Sequence, residues 1–158
     1  MFREVVRKKQ AMTREECLAL LSAVPRGVLA VQGDDGYPYA VPTNHFYDAE
    51  TGNLYFHSGM SGHKIDAIRR CDKVSYCVTD GGVRKDGDWA LSYQSVIVFG
   101  RVRVLDDHEE AMAVTRRLSL QFTEDMAYIE DEIKQYGGRT LVFAVVPEHM
   151  TGKTIREA

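Results

Sequence analysis

Short apolar runs separated by turn residues dominate the first half of the chain. Residues 27–31 form one such run, and Gly33-Asp34-Asp35-Gly36 has the composition of a hairpin turn. Two further strands are predicted at about residues 37–47 and 54–58, with another turn between them. Three strands joined by such short turns predict an antiparallel meander.

The rest of the chain adds a few helices and more strands. A capping box at Thr13-Arg14-Glu15-Glu16 begins a helix that stops at Pro25, and another helical pattern starts at His63. Further helices are predicted at about 108–121 and 123–136, and strands at 73–79, at 89–107 and at 140–146, the last ending before Pro147. Because strand and helix do not alternate, we expect an α+β antiparallel barrel, closed or partly closed, in one domain over residues 1–158.

Length, charge and cysteine content exclude several classes of protein. The chain has 158 residues and a net charge of −3, so it lacks the broad positive field of a nucleic-acid-binding protein. Its apolar runs are far shorter than the roughly 20 residues that a membrane-spanning helix needs. The three cysteines form no CxxC pair, which favours buried thiols in a reducing compartment and predicts a cytoplasmic protein.

The segment His57-Ser58-Gly59-Met60-Ser61-Gly62-His63-Lys64 is the most informative for chemistry. A strand ends in imidazole and hydroxyl groups, and two glycines then lead into a helix with a lysine in its first turn. Free amides at a helix N-terminus beside a cation favour phosphate, and glycines let the backbone approach it closely. The alternative is an ordinary Gly-Ser turn with an exposed lysine.

Other chemistry has little support in the sequence. The five histidines (His45, His57, His63, His108 and His149) include no pair at i, i+4, so no metal site is predicted. A cross-strand site at His45 and His57 is conceivable, but nothing in the sequence requires it. No GxSxG motif is present, and the carboxylate pairs Glu109/Glu110 and Asp131/Glu132 are predicted to lie on solvated helix faces. The lack of a self-sufficient catalytic apparatus points to a cofactor.

Four segments in order resemble the pyridoxamine-phosphate-oxidase-related family, within it the nitroimidazole-resistance reductase branch. They are Gly36-Tyr37-Pro38-Tyr39-Ala40-Val41-Pro42-Thr43-Asn44, Leu54-Tyr55-Phe56-His57-Ser58, Gly62-His63-Lys64 and Tyr93-Gln94-Ser95-Val96-Ile97-Val98-Phe99-Gly100. The resemblance covers nearly the whole chain. It implies an FMN-binding split β-barrel and a homodimer, with FMN bound at the subunit interface.

The resemblance also implies a role for individual residues. Ser58, His63 and Lys64 match the positions that hold the flavin phosphate, although His63 stands where the oxidases carry arginine. The strand Pro42-Thr43-Asn44-His45 matches the stretch whose backbone lies along the flavin ring, and His57 matches a position beside the ring. Ser95, with Tyr93 nearby, matches the place where the second subunit reaches the flavin.

These roles imply an FMN-dependent reductase of small electron-poor aromatics such as 5-nitroimidazoles. His57 is the candidate catalytic residue, since imidazole relays protons near neutral pH; alternatively it only contacts the flavin or a neighbouring strand. Trp89 and Tyr93 are candidates for stacking on substrate, or else belong to the barrel or dimer core. The C-terminus lacks the oxidases' Arg/His substrate motif, so vitamin B6 oxidation is not expected.

Three other functions stay open from the sequence. The chain could bind haem, with His45, His57 or His149 as the axial ligand, although nothing selects one of them. It could instead bind flavin without physiological turnover, or take a deazaflavin coenzyme. Ser58, His63 and Lys64 suit FMN and have no obvious role toward haem.

Overall fold

The computed structural model describes residues 1–156, which contain eight β-strands and four α-helices. The strands are β1 (Arg26–Gln32), β2 (Pro38–Asn44), β3 (Phe46–Tyr47), β4 (Leu54–Gly59), β5 (Lys73–Thr79), β6 (Val83–Arg84), β7 (Leu91–Val104) and β8 (Thr140–Arg156). The helices are α1 (Arg14–Ala23), α2 (His63–Arg70), α3 (His108–Ser119) and α4 (Met126–Tyr136). No helix in this part of the chain is both long and apolar enough to cross a membrane.

One antiparallel sheet organises the fold. Its strand order is β2-β1-β5-β7-β8-β4-β3, and β6 pairs with β7. The sheet curls until β2 and β4 lie near each other, but these two strands share no ladder of hydrogen bonds. The result is an α+β split barrel, as the sequence predicts.

The side chains inside the barrel form the main core. Tyr76, Phe56 and Phe143 are fully buried there, and α1 adds Leu21 from one end. A smaller cluster covers the opposite side of β4 and β8, where α3 packs on the sheet. On the outer side of β1, β5 and β7, by contrast, Val28, Cys77 and Ile97 are exposed in the described part of the chain.

The last strand corrects one prediction. It continues through Pro147 to Arg156 instead of ending at Val146. Proline removes one ladder hydrogen bond, but the register with β7 shifts between Phe99 and Gly100, so that Pro147 faces Gly100 and Glu148 is bypassed. A Cβ at Gly100 would lie 2.5 Å from the Val146 carbonyl oxygen, so this bulge requires glycine there.

The expected meander is also wrong in detail. The strand predicted at residues 37–47 is divided at His45, and the short β3, not β2, pairs with β4. At the division the His45 ring is buried in the core, and the backbone amide of His45 donates to the Pro25 carbonyl. There its Nε2 lies 2.7 Å from the Leu21 carbonyl oxygen and its Nδ1 lies 2.9 Å from the Tyr76 hydroxyl.

A buried ion pair ties α3 to the turn between β3 and β4. The Asp48 side chain is 3% exposed and accepts two hydrogen bonds from the half-exposed Arg117, at 2.9 and 3.1 Å. These bonds hold the pKa of Asp48 below its usual range. The Arg117 guanidinium also lies 4.6 Å from the centroid of the Phe46 ring. Helix α3 is therefore fixed beside β4.

Candidate functional site

His57 lies on the outer surface of β4, where three cavities adjoin. Successive side chains of a strand point to opposite faces of the sheet, so Phe56 lies in the core and His57 lies outside it. All three cavities have His57 in their lining. We call the three together the His57 groove.

The first cavity, of about 330 Å³, extends toward β2. It is lined by Pro42, Thr43 and Asn44 together with His57 and Arg26. The Arg26 Nε donates to Asn44 Oδ1 at 2.7 Å, which orients the amide. Three of the residues predicted to lie along the flavin ring therefore meet His57 across the split in the barrel.

The second cavity, of about 580 Å³, extends along β4 toward α4. Ser58 lines it beside His57, and Glu132, Tyr136 and Arg139 approach from the helical side. Ser58, the predicted phosphate contact, thus follows the predicted ring contact on the same strand and lines the same cavity.

The third cavity, of about 290 Å³, lies between β4 and the helices α3 and α4; we call it the helical cavity. His57 and Asn44 line its sheet side. The helices contribute aromatic and aliphatic side chains, among them Phe122 and Tyr128, and the carboxylate of Glu132.

The start of α2 supplies positive charge near His57. The first helical hydrogen bond runs from the Asp66 amide to the Gly62 carbonyl at 3.0 Å, so the amides of residues 63–65 have no acceptor within the helix. Gly62 has φ 121°, a conformation that side chains rarely allow. Burial lowers the pKa of Lys64. Restricted hydration, and secondarily the charge of Lys64, lower the pKa of His57, so its imidazole is neutral at pH 7.

His63 is held on the other side of this helix start. Its ring stacks on Tyr39 with the centroids 4.1 Å apart, and its Nε2 lies 3.5 Å from Asp34 Oδ2. Arg70 also pairs with Asp34, at 3.1 Å. The Asp34 carboxylate would therefore compete with a phosphate for His63. Lys64, by contrast, makes no ion pair within residues 1–156.

His45 does not lie in the groove. Its side chain is buried with both ring nitrogens engaged, and burial lowers its pKa. Its amide donates to the Pro25 carbonyl at 2.8 Å, and its carbonyl accepts from Gln121 Nε2 at 2.9 Å. No polar group of His45 is left for a cofactor, and an axial bond to haem would break the core.

Tyr93 and Ser95 lie on a different surface. Neither lines the three cavities around His57, nor does Trp89, which is 69% exposed before β7. Ser95 shares a side of β7 with Ile97 and Phe99, each 39% exposed. In register, Ile97 faces the exposed Cys77 of β5, which faces Val28 of β1. We call this surface of β1, β5 and β7 the outer face.

Several residues of the groove are not apparent from the sequence. Arg26 and Tyr136 carry no motif, and Glu132 was predicted to lie on a solvated helix face. Asp131 is exposed, as expected, but Glu132 is half-buried and lines two cavities. The one available signal is that Ile129, Glu132 and Ile133 share a side of α4 at helical spacing.

Residues 13–154 match the sequence family described as pyridoxamine 5'-phosphate oxidase. The chain belongs to this family. Family membership agrees with the split barrel and with the order of the four motifs.

Individual proteins resemble this chain in sequence or in fold. An uncharacterised protein, RA0666 of Rhizobium meliloti, is 33% identical over 96 residues, which are 61% of this chain and 57% of that protein. A candidate 5-nitroimidazole antibiotic resistance protein from Bacteroides thetaiotaomicron has a similar structure, with a TM-score of 0.76 at 21% identity over 93% of this chain and 87% of the other. A FAD- and haem-binding protein from Mycobacterium smegmatis gives 0.74 at 20% identity over 92% and 73%. The match to the Rhizobium protein thus spans little more than half of that relative.

Proposed function

We propose that this oxidase-family member is an FMN-binding flavoprotein that reduces small electron-poor aromatics such as 5-nitroimidazoles. One observation carries the proposal: residues predicted from separate motifs as flavin contacts converge on the His57 groove. Pro42, Thr43 and Asn44 come from β2, and His57 and Ser58 from β4. A structural relative that binds FAD, and another linked to nitroimidazole resistance, support the same class.

The chemistry of the groups near His57 suits a flavin phosphate, although neither His63 nor Lys64 lines the three cavities. The Ser58 hydroxyl, the Lys64 ammonium and the free amides at the start of α2 are the donors that phosphate prefers. Partial burial of Lys64 reduces screening of its charge, which strengthens its attraction for an anion. His63 contributes less in this proposal, because Asp34 already engages it.

The chain's own residues would position the reaction, whereas the bound flavin would supply the hydride or electrons. The neutral His57 imidazole would hydrogen-bond at the ring or substrate and relay a proton between solvent and substrate. Asn44, oriented by Arg26, would fix the flavin edge from the β2 side. The helices α3 and α4 would limit the access of water.

We propose a homodimer in the cytoplasm, with neither nucleic acid nor membrane as a partner. The uncovered apolar outer face supports a second copy as the partner, since Val28 and Ile97 would otherwise stay in water. This arrangement would explain why Tyr93 and Ser95 lie apart from His57 within one chain. They would serve the partner subunit's flavin, and Trp89 would approach substrate from the same side.

The deciding experiment is the visible spectrum of the purified protein, followed by denaturation and identification of the released chromophore. We expect FMN. Bound flavin that no donor such as NAD(P)H can reduce would indicate a flavin-binding protein without turnover, and a released deazaflavin would replace FMN as the coenzyme. A Soret band would favour haem with His57 or His149 as the ligand. A colourless protein that refuses added FMN would overturn the proposal.

Lys64→Ala should weaken FMN affinity at least about 10-fold, because it removes a charge-assisted contact to phosphate. Flavin fluorescence quenching in a titration measures the affinity, and circular dichroism checks the fold. Lys134→Ala is the matched control, since Lys134 is exposed on α4, whereas Lys64 is half-buried in the first turn of α2 beside its free amides. Equal affinities for the two variants would remove Lys64 from the phosphate site.

His57→Ala should slow substrate reduction by about 100-fold while changing FMN affinity by only a few-fold, because proton relay matters in the reaction and not in flavin retention. Stopped-flow reoxidation of the reduced flavin by a 5-nitroimidazole separates the two effects. An unaltered rate constant would leave His57 with a structural role only.

A further inference from the structure

We propose that the helical cavity is the substrate pocket and that Glu132 selects planar molecules carrying a cationic or N–H-donating edge. The inference rests on the proposed function, since it places the substrate in one part of the His57 groove and the flavin in the adjoining part. It replaces the solvated role predicted for Glu132 with a role in specificity.

The position of the cavity suits a substrate that must meet the flavin. His57 and Asn44 form its sheet side, and the same two residues line the β2 side of the groove. A molecule in the helical cavity would therefore lie next to the proposed flavin ring and within reach of His57.

Size and lining favour a small flat molecule. A volume of about 290 Å³ lies at the lower end of the range for small-molecule sites and suits one or two rings. Phe122 and Tyr128 are 51% and 57% exposed, although large aromatic side chains are usually more buried. Their faces offer a stacking surface on the helical side.

Glu132 gives this cavity its charge preference. It is half-buried and makes no ion pair within residues 1–156. By contrast, Glu130 pairs bidentately with Arg116, and Asp48 pairs with Arg117. Arg139 lines the neighbouring cavity, but it is directed over the Tyr136 ring and lies beyond ion-pair distance of Glu132.

The cavity is also preformed. The Arg116–Glu130 pair joins α3 to α4, and the Arg117–Asp48 pair joins α3 to the β3–β4 turn. An unpaired carboxylate held in a partly dehydrated cavity attracts cations and N–H donors and repels anions. We therefore expect amino-, amidino- or protonated imidazole-type heteroaromatics to bind, and aromatic carboxylates to be rejected.

The test uses three probes of the same shape: benzamidine, benzamide and benzoate. Dissociation constants are measured by NMR titration of the purified protein, with and without added FMN. Benzamidine should bind at least about 10-fold more tightly than benzoate, and Glu132→Gln should abolish that preference. The control is Asp131→Asn, which removes the same charge at the exposed neighbouring position and should preserve the preference for benzamidine. Tyr128→Ala should weaken all three probes alike.

An unchanged preference in Glu132→Gln would overturn the role of Glu132, and failure of every probe to bind would overturn the pocket. Flavin binding without probe binding would contradict this inference and leave the proposed function standing. Selective benzamidine binding by a protein that never takes flavin would support the pocket and contradict the proposed function.

Discussion

If the protein forms the proposed dimer, Ile97→Glu is expected to convert it into a monomer and to abolish retention of the proposed flavin. Ile97 lies on the β7 side of the outer face, and Cys77 on β5 and Val28 on β1 continue the same row across it. A carboxylate buried there without a partner would cost several kcal/mol, enough to weaken association more than 100-fold. Ser95 lies on the same side of β7, so the partner's contribution to the flavin would be lost with the dimer.

Sedimentation equilibrium measures the association of the subunits, and FMN titration measures the loss of flavin binding. Ile97 is 39% exposed within one chain, so the substitution should leave the monomer folded, which circular dichroism checks. Tyr37→Glu is the control, because Tyr37 is 76% exposed in the β1–β2 turn, away from the outer face. A dimeric, flavin-loaded Ile97→Glu protein would exclude the outer face as the interface.

His45→Ala should lower the free energy of unfolding by about 3–4 kcal/mol. The substitution leaves a cavity beside Phe56 and Tyr76 and removes the donor to the Leu21 carbonyl. Urea denaturation at pH 7.5 measures the loss. His108→Ala, at the exposed start of α3, should change stability by less than about 0.5 kcal/mol. Similar values for the two variants would contradict the structural role of His45.

The same histidine makes stability depend on pH. Burial lowers its pKa in the folded state below the usual value of 6.5, so the unfolded chain binds the proton more readily in the window below that value. Stability attributable to His45 is therefore complete above about pH 6.5 and falls, by up to about 1.4 kcal/mol per pH unit, as the pH is lowered toward the folded-state pKa. His45→Gln should remove this component, and an unchanged pH slope would contradict the neutral buried imidazole.

Local sequence signals were sufficient for most elements of the fold. The capping box at Thr13 is formed, with hydrogen bonds to and from Glu16, and the alternation at residues 73–79 marks β5 with correct bounds. Such signals work because they depend on neighbours a few residues apart. Pro147 led to a wrong prediction for the end of the last strand. The hydrogen bond that proline removes is tolerated because of a bulge opposite Gly100, and Gly100 lies on another strand.

The candidate site was predictable only in part. Pro42, Thr43, Asn44 and Ser58 share cavity linings with His57, while His45, from the segment that follows Asn44, turns into the core. Nothing in the local pattern distinguishes a histidine that points into the barrel from one that points out. That distinction depends on whether Leu21 and Tyr76 provide partners, and these residues are distant in the chain.

The sequence by itself determined the strand-rich α+β class and the approximate place of most elements, because periodicity, capping and glycine spacing are local properties. The same local signals suggested the phosphate-binding role that we propose for residues 57–64. Only the tertiary structure decided which residues share the groove. Burial and charge there arise from contacts between distant segments. Among residues 1–156, Glu132 has no ion-pair partner in the cavity that it lines together with His57, whereas Glu130, two residues away, pairs with Arg116.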